Sequence, residues 1–248
     1  MSLLITGYRG YIGSHLIRNI KDASFCDLKD EQDFADLEGF VFDTVIHLAA
    51  HASVTQSLKD PDECFNNNTF KLISFLTKNT VKRFVFASTG GAIYGNCHFA
   101  KENQANWAGC ISPYGQSKYL AEKIIRQLIP NHVILRLGNV WGGNDKDRLE
   151  AAAHAHFRTD IPITVYGGTQ ARDFVSIDVV CEAFKRAAES EITGTFNIGS
   201  GKETQVRHVA EKFSQERYVP IIYLPARAGE IEYVSLDVSK ARGAGLIE

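Results

Sequence analysis

The chain has 248 residues, 44% of them hydrophobic and 23% charged, and its formal net charge is -2. This length suits one large α/β domain, alone or with a smaller lobe. The near-neutral charge gives no basic surface for nucleic acid or an anionic membrane, so we predict neither partner. We also expect no signal peptide and no membrane span, because the apolar run Leu3–Ile5 is cut short by Thr6 and Gly7.

The five cysteines are widely scattered, and no C-x-x-C pair occurs. Such usage predicts reduced thiols in a cytoplasmic protein and no zinc site. His47 and His51 are four residues apart, a spacing that some metal sites use. Because neither has an acidic or histidine companion nearby, we expect a packed core histidine and a loop histidine, with no metal bound.

The run Leu3–Ile5 predicts a short strand, followed by a glycine-rich turn and an amphipathic helix. The glycines have the spacing G-x-x-G-x-x-G. In this context they allow a tight turn and bring backbone N–H groups close to a pyrophosphate at the helix N-terminus. We therefore predict a dinucleotide site here. Its candidate residues are Gly7, Tyr8, Arg9, Gly10, Tyr11, Ile12 and Gly13.

The second strand is unusually short. A dinucleotide fold places an acidic residue about twenty residues after the glycines, on the adenosine ribose, but Asp27 follows Gly13 sooner than that. Asp27 is either the ribose acid on a clipped second strand or the aspartate after the third strand, next to the adenine, with a strand and a helix deleted. The second interpretation is favoured. Either one leaves the adenosine half of the site unusually open.

A buried parallel strand is predicted over 42–50, and its last residues, Ala49 and Ala50, are small enough to let a cofactor approach. A helix over 61–78 follows. Its interior holds Asn66–Asn68, which are poor helix formers. Either packing contacts satisfy these side chains or one of them faces the cofactor.

The next buried strand, 82–89, ends in the hydroxyls of Ser88 and Thr89. Ligands bind at the carboxyl ends of the strands in an open α/β sheet, so both hydroxyls are candidate site groups. Gly90 and Gly91 begin the loop that follows.

The stretch Ser112–Glu122 predicts a helix, with Pro113 in the first turn, where a missing N–H is tolerated. Tyr114 and Lys118 are four residues apart and share one face of it. A nearby ammonium group favours the phenolate, so we expect Lys118 to lower the tyrosine pKa from about 10 and make Tyr114 a usable acid/base. The pair alone is common in helices, and its surroundings decide its meaning.

After residue 142 the alternation of strands and helices weakens. We predict a helix over 150–157, a strand over 163–166 and a small lobe built from these segments. Arg172 and Arg227 are candidates for a diphosphate clamp, because arginine binds phosphate with two parallel hydrogen bonds. Simple solvation at the surface is the alternative for either arginine.

Ten short motifs occur in order along the chain. They are Thr6-Gly7-x-x-Gly10-x-x-Gly13, His47-Leu48-Ala49-Ala50, Val54-x-x-Ser57-x-x-x-Pro61, Ser88-Thr89, Tyr114-x-x-x-Lys118, Arg136-x-x-Asn139-Val140-Trp141-Gly142, Tyr166-Gly167, Arg172-Asp173-Phe174-Val175, Asn197-x-Gly199-Ser200-Gly201 and Arg227-x-Gly229-Glu230. In this order they resemble the extended short-chain dehydrogenase/reductases, and among them the nucleotide-sugar epimerases and dehydratases. The resemblance runs from Ser2 to about Leu246.

The resemblance implies a Rossmann-type doubly wound parallel sheet with a small C-terminal substrate-binding lobe. Residues 1–141 and 173–198 would form the NAD-binding domain, and residues 142–172 and 199–248 the lobe. It also implies NAD as cofactor and a homodimer formed by the Tyr114 helix and the Asn68 helix. NAD is favoured over NADP because no arginine directly follows Asp27.

The resemblance also assigns roles. Tyr114 would be the acid/base, Lys118 would hold the nicotinamide ribose, and Thr89, with Ser88 beside it, would bind the reacting sugar hydroxyl. Further cofactor positions would be Asp27, Leu28, Leu48, Ala49, Ala50, Asn68, Ala87 and Leu137, besides Tyr114 and Lys118. The nucleotide sugar would contact Thr89, Tyr114, Asn139, Tyr166, Arg172, Arg227 and Glu230.

The branch of the family is indicated by Gly90 and Gly91. Members that eliminate water carry an Asp-Glu pair directly after the Ser/Thr, and decarboxylases place a glutamate there, whereas two glycines supply no second acid/base group. We therefore expect epimerisation of a UDP-hexose at C4 through a transient 4-keto sugar. A nucleotide-4-keto-sugar reductase, less plausibly a dehydratase, and a non-catalytic NAD-binding sensor are the alternatives.

Overall fold

The computed structural model describes residues 2–20, 22–143, 157–158, 162–226 and 231–248. In chain order the strands are β1 Leu3–Thr6, β2 Ser24–Cys26, β3 Val41–His47, β4 Thr80–Thr89, β5 Cys97–Ala100, β6 His132–Leu137, β7 Asn139–Trp141, β8 Phe157–Arg158, β9 Ile163–Tyr166, β10 Ala171–Arg172, β11 Phe174–Ser176, β12 Gly194–Ile198, β13 Thr204–Gln205, β14 Ile221–Leu224 and β15 Val234–Leu236. The helices are α1 Tyr11–Leu16, α2 Val54–Lys59, α3 Pro61–Phe65, α4 Lys71–Lys78, α5 Gly91–Tyr94, α6 Pro113–Leu128, α7 Ile177–Glu189, α8 Val206–Arg217 and α9 Ser239–Gly243, and a π-helical segment, Asn66–Phe70, joins α3 to α4.

The central sheet has six strands in the order β2-β1-β3-β4-β6-β12, and every neighbouring pair is parallel. From β1 the chain passes to β2 on one side and then returns to β3 on the other side of β1. This reversal opens a crevice at the carboxyl ends of β1 and β3, where ligands bind in open α/β sheets.

Each face of the sheet has its own apolar core because successive strand residues point to opposite sides. Phe84 and Phe86 of β4 pack with α4 and α6, whereas the intervening Val85 packs with α1 and α7. Val45 and Ile46 of β3 divide between the same two cores. Helices therefore cover both faces, which confirms the predicted doubly wound α/β fold.

The short second strand has a clear consequence at the sheet edge. β2 has three residues and pairs directly with β1, and the described residues hold no strand beyond it. Asp27 therefore ends the strand next to β1, which is the place of the ribose acid in a dinucleotide fold. A deletion of one strand and one helix would leave the third strand in the same place, so the pairing agrees with both interpretations and the role of Asp27 stays a prediction.

A smaller unit lies after β11. Strands β14, β9 and β8 form a second sheet, and α8 packs on it through the apolar cluster Ile163, Val165, Phe174, Val206 and Ala210. The predicted strand over 163–166 is confirmed. Most of the helix predicted over 150–157 lies outside the described residues, and residues 157–158 belong to β8.

The end of the chain does not stay with this smaller unit. β15 pairs with β5, and Val234, Leu236, Ala241 and Leu246 are buried in the core that holds α1 and α7. The segment 234–248, predicted as part of the lobe, thus packs on the main domain, because its apolar side chains are covered there. Within the described ranges, no helix combines the length and the apolar character needed to cross a membrane.

Candidate active site

Three glycines shape the turn after β1. Gly7 has a φ of +71°, in the region that favours glycine, and a Cβ on it would lie 2.5 Å from the backbone N of Ala49. A Cβ on Gly13 would lie 2.4 Å from the carbonyl O of Gly7. Gly10 is the N-cap of α1 and supplies no side-chain cap. The turn therefore presses against the end of β3 and leaves the start of α1 open, which fits the pyrophosphate of a dinucleotide.

Four other predicted cofactor positions lie around this turn. The Tyr11 hydroxyl donates to the carbonyl of Gly142 at 3.0 Å, which links α1 to the segment after β7. Ile12 and Leu48 are partly buried against the main core, and Ala50 is exposed. The carboxyl end of β3 thus presents a small side chain to solvent beside the glycine turn, as the sequence predicted.

Asp27 joins the glycine turn to the end of β2. Its two carboxylate oxygens accept the backbone N–H groups of Arg9 and Lys29, both at 2.9 Å, and its side chain is buried. Leu28, also predicted at the cofactor, is 58% exposed and offers an uncovered apolar surface at this end of the site. The adenosine half is therefore open, as expected from the shortened second strand.

His47 lies in the core, as predicted. Its Nδ1 is 2.9 Å from the hydroxyl of Thr6, and its ring lies nearly parallel to the rings of Phe84 and Phe86 beside it and meets Phe34 edge-on. Burial lowers the pKa of His47 to about 3, so the imidazole is neutral at physiological pH. The described residues contain no cluster of three His, Cys, Asp or Glu side chains that could hold a metal ion.

Asn68 is satisfied by packing contacts, the first of the two possibilities that the sequence allowed. Its amide accepts the N–H of His51 at 2.7 Å and donates to the His51 carbonyl at 3.1 Å and to the Ser117 hydroxyl at 3.0 Å. It is buried within the π-helical segment, a feature that often occurs at functional sites. Asn68 thus fixes the loop after β3 against α6. The hydrogen bonds of its side-chain amide described above all go to other groups of the protein.

The Tyr114–Lys118 helix brings both residues to the carboxyl end of β4. The Thr89 side chain lies beside the Tyr114 hydroxyl and acts to lower its pKa. Lys118 is buried, and its ammonium donates to the carbonyl of Ala87 at 2.8 Å and lies 4.4 Å from the centre of the Phe86 ring. The structure thus brings together the tyrosine, the lysine and the threonine that the sequence singled out.

The pKa of Tyr114 differs from the expectation. Burial raises it to about 12, although the Thr89 side chain acts to lower it, and the predicted reduction by Lys118 is absent. Burial also lowers the pKa of Lys118 to about 7. The physical reason is that both groups share one desolvated pocket, where each charged form is disfavoured, and the Lys118 ammonium is directed to the Ala87 carbonyl.

The matched family model is the NAD dependent epimerase/dehydratase family, over residues 3–199. The chain belongs to this family. The resemblance drawn from the ordered motifs is thereby confirmed, and so is NAD, the cofactor that this resemblance implies.

Individual relatives agree over nearly the whole length. The chain is 29% identical to a putative UDP-glucose 4-epimerase of Methanocaldococcus jannaschii over 288 aligned positions, which span 98% of this chain and 92% of that one. It superimposes with a TM-score of 0.84 and 26% identity on the UDP-glucose 4-epimerase of Thermus thermophilus in complex with NAD, covering 99% of this chain and 93% of that one. For the Thermotoga maritima UDP-glucose 4-epimerase with UDP-glucose, the TM-score is 0.81, the identity 28% and the coverage 98% and 92%.

Ser88, predicted as catalytic with Thr89, has a different partner. Its hydroxyl donates to the buried carboxylate of Glu122 at 2.6 Å. Arg136, on β6, binds the same carboxylate through Nε at 2.8 Å and Nη2 at 2.6 Å, and Arg126 adds a bond at 2.8 Å. The position of Ser88 therefore corrects the expectation: it belongs to a buried polar network behind the site, because Glu122 needs donors on every side.

The predicted substrate residues fall into three groups. Arg172 is buried, and its guanidinium donates to the carbonyls of Ile231 at 2.6 Å and of its neighbour Ala171 at 2.9 Å, so it anchors the backbone that follows residue 230. Asn139 and Tyr166 lie half-buried at β7 and at the end of β9. The remaining predicted residues, Arg227 and Glu230, lie outside the described residues.

Asp173 has no role assigned from the sequence beyond its place in a motif, yet it organises this side of the site. Its carboxylate accepts the Ser200 N–H at 2.6 Å, the Ser200 hydroxyl at 2.8 Å, the Gly201 N–H at 3.0 Å and the Leu236 N–H at 3.3 Å. A Cβ on Gly199 would lie 2.6 Å from one of its oxygens. The signal in the sequence is the turn at Ser200 and Gly201 after β12, because its backbone N–H groups need an acceptor when they are buried.

Gly115 is a second position that the sequence pattern does not single out. A Cβ on it would lie 2.2 Å from the carbonyl O of Ala92, so only glycine lets the first turn of α6 approach α5 this closely. The contact seats Tyr114 beside Thr89. A glycine inside a predicted helix lowers helix stability. Its presence there is therefore a sequence signal for a close backbone approach.

The two glycines after Thr89 differ in the space around them. A Cβ on Gly90 would lie 2.8 Å from a methyl carbon of the buried Leu236 and 3.1 Å from the Leu137 carbonyl O. A Cβ on Gly91 would meet only the side-chain oxygen of Asn139, at 3.9 Å. Gly90 is thus required by packing, whereas a side chain at Gly91 would find open space.

The buried Lys118 makes stability depend on pH. Its pKa is about 7 in the folded chain and about 10.5 when unfolded, so between these values the unfolded chain binds more protons and stability rises with pH. Replacing Lys118 with Met removes this dependence. We expect the stability of the parent to increase by about 2.5–3 kcal/mol relative to Lys118→Met between pH 6 and pH 9. Urea unfolding of both proteins at the two pH values measures the difference, and parallel changes would contradict it.

The contrast between Gly90 and Gly91 is testable with the same substitution at both. Gly90→Ala should lower the unfolding free energy by about 1–3 kcal/mol, as overpacking does in tight cores. Gly91→Ala, in the helix α5 with open space beside it, should be neutral or slightly stabilising. Thermal unfolding of the two variants measures the difference in their stability. Equal transition temperatures would contradict the packing argument.

Proposed function

We propose that this chain catalyses the NAD-dependent epimerisation of a UDP-hexose at C4, through a transient 4-keto sugar. The observation that carries the proposal is the placement of Tyr114 and the buried Lys118 one turn apart on α6, with Lys118 bonded to β4 next to Thr89 and no carboxylate at Gly90 or Gly91. Relatives named UDP-glucose 4-epimerase, one of them with UDP-glucose in its structure, support the substrate class.

Tyr114 is the group that moves the proton. Its phenolate takes the proton of the sugar 4-hydroxyl and later returns it to the same oxygen. Since burial holds the pKa of the phenol near 12, the phenolate needs stabilisation from the Thr89 hydroxyl and from the charged form of Lys118. When bound, NAD would supply hydride transfer from and back to C4, so that the reaction has no net oxidation.

The substrate assay separates this function from its alternatives. Incubation with UDP-sugars and no added reductant yields the C4 epimer only from an epimerase. A 4-keto-sugar reductase, which uses the same three residues, needs a reduced dinucleotide and a keto substrate. A non-catalytic sensor gives no product with either.

Removing the Tyr114 hydroxyl tests the proton-transfer role. Tyr114→Phe should lower kcat by about 100- to 10,000-fold, the range for loss of an acid/base group, with NAD binding retained. Tyr119→Phe is the matched control, since this tyrosine lies on the same helix and packs against Trp107 away from Thr89. The epimer is quantified by chromatography. Full turnover in Tyr114→Phe, or equal loss in both variants, would contradict the assignment.

We propose further that the chain forms a homodimer through the surface around α6 and the π-helical segment. Phe70 of the π-helical segment, Leu58 of α2, which contacts α6, and Trp107, which packs on Tyr119 of α6, are each 50% exposed or more, although they are large apolar residues. Exposed apolar side chains of this size on neighbouring helices are typical of protein–protein contact sites. Association would bury them against the same residues of a second copy.

A charge in this surface tests the dimer. Phe70→Glu should shift the mass in solution toward that of the 27.5 kDa monomer, because an unpaired carboxylate is costly to bury. Tyr218→Glu is the control, since Tyr218 is 95% exposed on the smaller unit. Light scattering after size-exclusion chromatography measures both. A monomeric parent, or dissociation of both variants, would contradict the proposal.

A cytoplasmic location completes the proposal. All five cysteines are free, and Cys26, Cys64 and Cys110 are buried. Free buried thiols persist in reducing compartments, which supports this location.

A further inference from the structure

We propose that Asp30 determines which dinucleotide the chain accepts, by holding the Arg9 guanidinium in an ion pair that keeps it from binding a 2′-phosphate. The proposal concerns the cofactor alone. It rests on the use of NAD within the proposed function and does not depend on the identity of the sugar.

Arg9 is fixed at both ends. It lies in the glycine turn between Gly7 and Gly10, and its backbone N–H donates to Asp27 at 2.9 Å. Its Nε donates to Asp30 Oδ2 at 2.9 Å, and its Nη2 contacts the other oxygen of the same carboxylate. The two charged groups thus meet with two parallel contacts, the strongest geometry for an arginine and a carboxylate.

Tyr8 completes the arrangement. Its hydroxyl donates to Asp30 and accepts a hydrogen bond from Arg9 Nε at 3.2 Å. The Asp30 carboxylate is therefore held over the glycine turn by side chains of the turn itself. The side chain of Arg9 remains 50% exposed and that of Asp30 20% exposed, so both face the solvent-accessible end of the site.

This cluster lies at the adenosine end. Asp27 ends the strand next to β1, the place of the ribose acid, and Asp30 ends the 3-10 turn Leu28–Asp30 that follows. Both oxygens of Asp27 already accept backbone N–H groups. Beyond Asp27, the charged side chains at this end of the site are thus Arg9 and Asp30, with Lys29 beside them, whose ammonium donates to the Arg9 carbonyl at 3.2 Å.

The charges decide between the two dinucleotides. A phosphate monoester carries about -1.5 to -2 charges at pH 7 and binds best to an arginine fork. Asp30 occupies that fork and repels the phosphate. A ribose hydroxyl, by contrast, is neutral and can donate to a carboxylate. NAD is therefore accepted and NADP is disfavoured, even though the glycine turn carries an arginine.

Neutralising Asp30 tests the proposal without turnover. Isothermal titration calorimetry gives Kd for NAD, NADP and adenosine 2′,5′-bisphosphate with the parent, Asp30→Asn, Arg9→Gln and the double variant. Asp30→Asn should tighten the binding of NADP and the bisphosphate by about tenfold or more, as one freed charge-assisted contact implies. The gain should disappear in the double variant and shrink as salt is added.

Several outcomes would overturn the proposal. Unchanged NADP affinity in Asp30→Asn, an equal gain in the double variant, or a parent that binds NADP as tightly as NAD each excludes it. Asp30→Ser serves as a second variant if Asp30→Asn does not fold, and circular dichroism checks all variants. Because the titrations use no sugar, a failed epimerase assay leaves this test decisive.

Discussion

The rest of the site depends on the buried carboxylate of Glu122. Burial alone would raise its pKa, but the hydrogen bonds and charge of Arg136, with the Ser88 hydroxyl and Arg126, hold the pKa below its usual range. These partners come from β6, from the end of β4 and from α6 itself, so one charge fixes the helix against two central strands. Removing one partner of a buried pair typically costs about 3–5 kcal/mol. Tyr114 lies about two turns earlier on the same helix and is held in place by this anchor.

The buried positions of the reacting groups lower the stability of the folded chain. Burial shifts the pKa of Tyr114, Lys118 and His47 away from the charged form of each group. A cation at Lys118 is stabilised by the Ala87 carbonyl, by the face of the Phe86 ring and by the charge of Glu122. Such groups lower stability and persist because the surrounding network over-determines their position. The desolvation that weakens the fold also strengthens each electrostatic interaction with a bound substrate.

Sequence reasoning succeeded wherever one local pattern determines the result. The apolar run within 82–89 predicts a buried strand, and the glycine spacing predicts the turn after β1. It failed where the outcome depends on contacts between distant residues. The pKa of Tyr114 depends on where the Lys118 ammonium is directed, and the position of residues 234–248 depends on the pairing of β15 with β5. Spacing along a helix gives neither an atom's partner nor the burial around it.

The two ends of the cofactor site are built on opposite physical principles. At the nicotinamide end, charges are buried and locked by Glu122, so a substitution there changes stability and chemistry together. At the adenosine end, Arg9 and Asp30 form an exposed pair, and such pairs contribute little to stability because water and salt screen them. Stability therefore does not explain why the glycine turn carries an arginine matched by a carboxylate. The charge that the pair presents to a ligand explains this pairing. The electrostatic field at a ribose 2′-substituent changes when either partner is lost.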